Sequence, residues 1–442
     1  MKKWFGTLLA VLMILGLLVA CGPDDAQESA GEGDQSDDQG EVENNDSDNE
    51  SAEDDNSMPE KPEKLTIWVN AEEKQEEAVN QMAATYTDET GIEIETVPID
   101  MLEQVEKLDV EGPAGNGPDI IFQPHDRIGD LVLRGLVDPV NLGELESDYT
   151  EAALSAVTNE GEIWGYPAVT ETYALFYNKS LVDEAPATME DLMAIADEQT
   201  NADNEEFGFL MEAANFYFTY PFFSGNGAYV FAEENGVYDI EDIGLNNEGA
   251  VQGGELIQSW FDKGYIPQDL TPDIMNGLFK EGKVASVING PWMVREYQEA
   301  LGDDLQATIL PKLDNGENPK SFVGVKAYLL SYYSENKEWA EDFMAYLTNS
   351  ENAMLYYEVA GEMPARIDSI EDPAIANDPI YSAFAEQATY GEPMPGVPAM
   401  QQVWDPINNG LSFISKGEPV ADVLDEAVQT IKDNIAASGA TQ

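Results

Sequence analysis

Between residues 65 and 123 the chain alternates strand and helix patterns, and this alternation restricts the fold more than any other feature. LTIWVN (65–70) is a mostly apolar run flanked by charge, the pattern of a strand buried in a sheet. EEKQEEAVNQMAATYTDETG (72–91) puts Val79, Met82, Ala83 and Tyr86 on one helical face and ends at Gly91, where a helix C-cap belongs. IEIETV (92–97) predicts a second strand, the stretch around Leu102 to Leu108 a second helix, and DIIFQ (119–123) a third strand. A β-α-β-α-β order calls for an α/β fold with a parallel sheet and helices on its faces. Ligands of such sheets bind beyond the carboxyl ends of the strands. Ala71 to Glu73 follow the first strand and His125 to Arg127 the third, so the two clusters are expected to share one crevice.

Similar patterns recur at ALFYNK (174–179), at the helical stretch from Ala250 to Lys263 and at VASVI (284–288), which predicts a second α/β lobe. A final helix, roughly Val420 to Ala436, carries Val423, Ala427, Ile431 and Ile435 at helical spacing as a core stripe. With 442 residues, 43% of them hydrophobic, the chain is long enough for two or three domains with real cores.

The N-terminus reads MKKWFGTLLAVLMILGLLVACG, in which Lys2 and Lys3 precede an apolar run to Ala20. That is the layout of a secretory signal peptide over 1–20. Leu18-Val19-Ala20-Cys21 resembles the lipobox of bacterial lipoproteins, and the resemblance implies a lipid on Cys21. As the only cysteine, Cys21 can form no intramolecular disulfide. The alternative is an uncleaved membrane anchor, and either way the rest of the chain lies outside the cytoplasm. From Gly22 to Glu60 there are sixteen acidic residues and neither basic nor aromatic ones. Such a segment builds no core, so 21–62 is expected to be a lipidated cysteine and a disordered linker. Its reach would be at least ~35 Å for about 40 residues, enough to hold a folded body clear of a bilayer. Asp46, Asp48 and Glu50 have the start of a calcium loop, but Ser51 and Ser57 occupy the places of its glycine and glutamate, so no metal is expected there.

Eighty-seven acidic side chains against 20 basic ones give a net charge of −67. That surplus repels polyanions, which excludes nucleic acid as a partner. It also strains the compact state by self-repulsion, which suits a salty, halophilic setting where counterions screen the surface.

The only histidine, His125, lies in GPDIIFQPHDRIG (117–129). One histidine and one cysteine leave no metal cluster of usual spacing. A Ser-His-Asp triad would have to run through His125, and GNGPD lacks the Lys-Ser/Thr ending of a phosphate loop. No catalytic residue, metal or cofactor is therefore expected.

Several separated motifs agree on a family: KLTIWVN, GPDIIFQPHDRIG, ETYALFYNKSLV, NFYFTYPFFSGNGAYVF, LFKEGKVASVINGPW, FVGV and GEPMPGVPAMQQVW. From about Lys64 to Ile435 the chain resembles an extracellular solute-binding protein of an ABC importer, in the maltose/maltodextrin-binding branch. The resemblance implies a two-lobe periplasmic-binding-protein-like fold of class II, with a hinge and an interlobe ligand cleft. One lobe would comprise 64–170 plus 325–373, the other 174–322 plus 377–442. It implies a monomer whose partners are a maltodextrin-class oligosaccharide and the transmembrane subunits of the permease.

The resemblance also implies the sugar-binding residues. Trp292 and Trp404 match stacking tryptophans, and Tyr217 and Phe218 match an aromatic pair. Asp126 and Arg127 match a sugar-binding Asp-Arg step, in which a carboxylate accepts from hydroxyls and a guanidinium donates in a fixed fork. Glu171 and Glu72 match acidic ligands, and Asn215 stands where the maltose pattern has glutamate. Each has a plain structural alternative, core for the aromatics and solvated or salt-bridged surface for the acids. Three further positions depart from the pattern: Gln123 replaces a tryptophan, Glu73 a lysine and Asn408 an arginine. They leave open a different oligosaccharide. The competing class is a secreted glycoside hydrolase with two of Glu72, Asp126 and Glu171 as its paired carboxylates.

Overall fold

The computed structural model describes residues 58–234 and 237–440. The leader, Cys21 and the acidic segment through residue 57 lie outside the described residues. The folded body starts before the expected linker boundary at residue 62. The Pro59 carbonyl accepts from the Trp339 indole at 3.2 Å, and the Lys61 ammonium donates to the Thr90 carbonyl. These two contacts tie the last linker residues down.

β1 (Lys64–Val69), α1 (Glu73–Thr90), β2 (Glu93–Pro98), α2 (Gln104–Glu111) and β3 (Ile120–Pro124) follow in the order the sequence predicts. α1 buries Val79, Met82, Ala83 and Tyr86, and Gly91 closes it at φ 75°, a left-handed backbone that favours glycine. β1 pairs in parallel with β2 and β3. The other edge of β3, however, is filled by an antiparallel strand, Phe322–Ser331, with Lys326 opposite Pro124 and Leu330 opposite Ile120. Strand Gly165–Glu171 pairs antiparallel with the far side of that strand, and Met363–Pro364 ends the row. The first sheet is therefore mixed, because local periodicity does not say which distant segment fills an edge.

A second sheet runs in the order Leu305–Thr308, Ala174–Asn178, Val284–Asn289, Phe207–Leu210. Side chains alternate across it, Leu175 packing with Phe216 and Trp260 on one face, Ala174 and Phe176 with Phe279 and Tyr297 on the other. The last helix, Val420–Ser438, buries Leu424, Ala427, Val428, Ile431 and Ile435 against the first of these clusters. Val423 is only partly buried, since the stripe drifts one position along the helix toward Leu424.

Two crossing segments join the sheets. Gly165–Glu171 passes through Thr172 and Tyr173 into Ala174–Asn178, and the returning chain enters Phe322–Ser331. The Thr172 hydroxyl reaches Ser321 Oγ and the Phe322 carbonyl, both at 2.8 Å, and the Tyr173 hydroxyl accepts from the Phe322 N–H at 3.2 Å. Glu392–Pro393 pairs with Phe322–Val323 beside this crossing. The result is a two-lobed α/β body with its hinge at these strands.

Candidate functional site

A cavity of about 710 Å³ lies between the sheets, a size usual for small-molecule sites. The loop after β1 brings Glu72 to it, and the 3-10 turn His125–Arg127 after β3 brings Asp126 and Arg127. The crevice expected at the strand ends is therefore present. The opposite wall contains Asn215, Tyr217, Phe218, Trp292 and Trp404, while Glu171 reaches the cavity from the crossing strand. All nine predicted residues line one space.

Their present partners differ. Asp126 is buried, and its Oδ2 accepts from the Trp404 indole at 3.2 Å and from Gln401 Nε2 at 3.1 Å. Arg127 donates to the Leu102 carbonyl at 3.2 Å and forms no salt bridge with Asp126. Asn215 caps the helix Phe216–Ser224, its Oδ1 accepting from the Tyr217 N–H at 3.0 Å while its Nδ2 donates to Glu212 at 3.1 Å. Both ends of that amide are engaged, so it serves the helix start. Phe218 is 5% exposed and sits mostly in the core, whereas the buried Tyr217 hydroxyl has no hydrogen-bond partner among the described residues.

Glu171 is held in the structure by an internal cation. Its Oε2 lies 2.7 Å from Lys326 Nζ, and Lys326 also bonds both oxygens of Glu362, at 3.1 and 3.2 Å. Gln75 donates to Glu362 as well, and Asn70 to Gln75 at 2.9 Å. Lys326 is 2% exposed and Glu362 fully buried. Burial lowers the affinity of the Lys326 ammonium for its proton, but Glu171 and Glu362 more than offset this and hold it charged. Two carboxylates share one cation, so one charge is left over. Burial raises the Glu362 pKa to about 7, Lys326 pulls it down and Glu171 pushes it up. Burial also raises Glu72 and Glu212 at the cavity wall.

Sequence reasoning missed Lys326 and Glu362. The signal for the first was a lysine within FVGVKAYLL, since a charge in an otherwise apolar strand must be paired. Nothing local marks Glu362 as its partner.

His125 is structural in its contacts. Its Nδ1 accepts from the Val325 N–H at 3.1 Å, which leaves Nε2 to donate to the Met394 carbonyl at 3.1 Å. Burial lowers its pKa against the pull of Asp126, consistent with a neutral ring. Of the other three departures, Gln123 is fully buried and does not line the cavity. It donates to the Met101 carbonyl at 2.6 Å and thereby holds the loop whose Met101 and Leu102 do line it. Asn408 lines the cavity but accepts from the Phe216 N–H at 2.7 Å, and Glu73 stays on the surface outside it. Among the described residues no group of His, Cys, Asp or Glu is arranged to hold a metal ion, and none of their helices is long and apolar enough to cross a membrane.

Residues 81–383 match the family described as bacterial extracellular solute-binding protein. The chain is 35% identical to the galactooligosaccharide-binding protein of Bacillus subtilis over 85% of its own length and 90% of that protein. It is 31% identical to a maltooligosaccharide ABC transporter solute-binding lipoprotein of Streptococcus pneumoniae, over 95% of this chain and 94% of the other. Among solved structures, a cyclo/maltodextrin-binding protein complexed with maltotetraose superposes with a TM-score of 0.72 at 40% identity, covering 86% of this chain and 99% of the other. These relatives are binding proteins by name, and the matches cover most of the described chain. The chain belongs to the bacterial extracellular solute-binding protein family.

Proposed function

We propose that this protein captures maltodextrin-type oligosaccharides outside the membrane and delivers them to an ABC permease by closing its lobes. The observation that carries this reading is the interlobe cavity in which Trp292, Trp404 and Tyr217 face the polar groups Glu72, Asp126 and Arg127. A sugar presents C–H patches on its faces and hydroxyls at its edges, so it needs flat rings beside donors and acceptors. Eight carboxylates line the cavity against Arg127, Lys280 and Lys326, which favours a neutral ligand over an anionic one. The maltooligosaccharide-binding and maltotetraose-complexed relatives supply the α-glucan part of the reading.

Sugar held by both lobes favours the closed state, the form presented to the permease. In this reading the lobes are 64–170 plus 325–373 and 174–322 plus 377–442, supported by the two sheets and the crossing strands between them. Lipid on Cys21 anchors the protein to the cell membrane, in keeping with the lipoprotein among its relatives. No bond of the sugar is broken. Glu171 is ion-paired with Lys326 and Asp126 already accepts from two N–H groups, which leaves Glu72 without the second free carboxylate that a glycoside hydrolase needs.

Calorimetry with maltose, maltotriose and cyclodextrins tests the proposal, and a dissociation constant near ~1 μM would correspond to about −8 kcal/mol. The galactooligosaccharide-binding relative favours a second reading, so galactooligosaccharides belong in the same titration. Binding of these alone would replace the α-glucan reading. Products released from maltotriose on incubation would overturn the non-catalytic one.

A further inference from the structure

Trp292 follows strand Val284–Asn289 in the second lobe, within a short 3-10 turn, Pro291–Met293, and its ring lies beside Tyr217 and Phe218. Two further features fix it. The first is Lys326 on the crossing strand, whose Nζ lies over the indole 4.9 Å from the ring centroid. The same ammonium is paired with the Glu171 and Glu362 carboxylates, which fix it in place over the indole.

The second is Gly290. Its backbone, φ −93° and ψ 174°, is open to any residue, so conformational freedom does not explain a glycine there. Space does, because a Cβ at this position would fall 2.1 Å from Cη2 and Cζ3 of the Trp292 ring. The six-membered ring of the indole thus rests directly on the glycine Cα. The ring is set from one side by a missing side chain and from another by a cation fixed to the hinge strands.

We infer that Lys326 and Gly290 are positioning residues for Trp292, setting the angle at which its ring meets the sugar and tying that angle to the hinge. The inference rests on Trp292 being a sugar platform, as proposed above. Lys326 belongs to the first sheet and Trp292 to the second lobe, so their contact spans the two. Movement of the crossing strands is then passed to the platform through one ammonium.

The test uses Lys326→Met, Gly290→Ala and Trp292→Ala, singly and with each positioning variant combined with Trp292→Ala, all checked for folding by circular dichroism. Gly290→Ala matters because it leaves the charge cluster intact if Lys326→Met, with two stranded carboxylates, fails to fold. Each positioning variant is expected to weaken maltotriose binding by about tenfold alone and by less than about twofold in the Trp292→Ala background, since residues acting through one another are non-additive. Equal losses in both backgrounds, or single losses within twofold, would overturn the inference. A second readout needs no ligand. The emission difference between each protein and its Trp292→Phe counterpart isolates this indole, which should become more accessible to acrylamide in both positioning variants. Unchanged quenching would overturn the inference, whereas a wild-type protein that binds none of the sugars would overturn only the function on which it rests.

Discussion

Glu362→Gln changes one buried oxygen for an amide, and its effect on stability can be worked out with sign and size. In the folded protein Glu362 shares Lys326 with Glu171 and has no access to solvent, and its pKa rises to about 7 from 4.5, burial being the largest cause. The folded chain therefore binds this proton more tightly than the unfolded one. Stability from this group is complete below about pH 4.5 and is lost as the pH rises through about 7. At about 1.4 kcal/mol per tenfold change in equilibrium, the full loss amounts to about 3 kcal/mol. Glutamine keeps an oxygen to accept from Lys326 and leaves a one-to-one pair of Lys326 with Glu171. It should remove that part of the pH dependence. Urea unfolding of both proteins at pH 5 and pH 8, at one fixed salt concentration, measures it. The wild type should lose about 2.5 kcal/mol more than the variant over that interval, which starts just above the unfolded pKa. Parallel pH dependences would refute the picture of two carboxylates competing for one cation.

His125→Ala strands the Val325 N–H and the Met394 carbonyl inside the protein and should cost about 2–4 kcal/mol in urea unfolding. Asn215→Ala removes the cap of the helix Phe216–Ser224 and should cost about 1 kcal/mol by the same assay. Trp404→Phe keeps an apolar ring but deletes the donor to Asp126, and calorimetry should show maltotriose binding weakened about tenfold to a hundredfold, the scale of one hydrogen bond to a charged group. Stability should rise between roughly 0.1 M and roughly 2 M sodium chloride as the acidic surface is screened, and a fall in thermal midpoint would count against that reading.

The strands and helices of 64–124 were legible because apolar runs and helical spacing are local signals, and the whole β-α-β-α-β series stands where the pattern puts it. The strand inserted at the edge of β3 was not, because pairing between segments far apart in sequence leaves no trace in either one. The nine cavity residues were legible through motif resemblance, whereas their partners were not. Nothing near Asp126 in sequence says that it meets Trp404, and nothing near Lys326 says that Glu362 faces it. Gln123 shows the limit most plainly. As a substitution it reads as a lost platform, yet in the fold it is an interior strut for the Met101 loop.

The strand Phe322–Ser331 also bears on the order in which the chain acquires its shape. Until it arrives, β3 is an open edge, and the His125 ring lacks the Val325 N–H, 200 residues further along. Closing so long a loop is entropically costly and slow, so the first lobe cannot finish ahead of most of the second, although it is made first. A chain built in this way completes its first sheet, and with it the cavity wall that Asp126 and Arg127 supply, only after most of its length has been made.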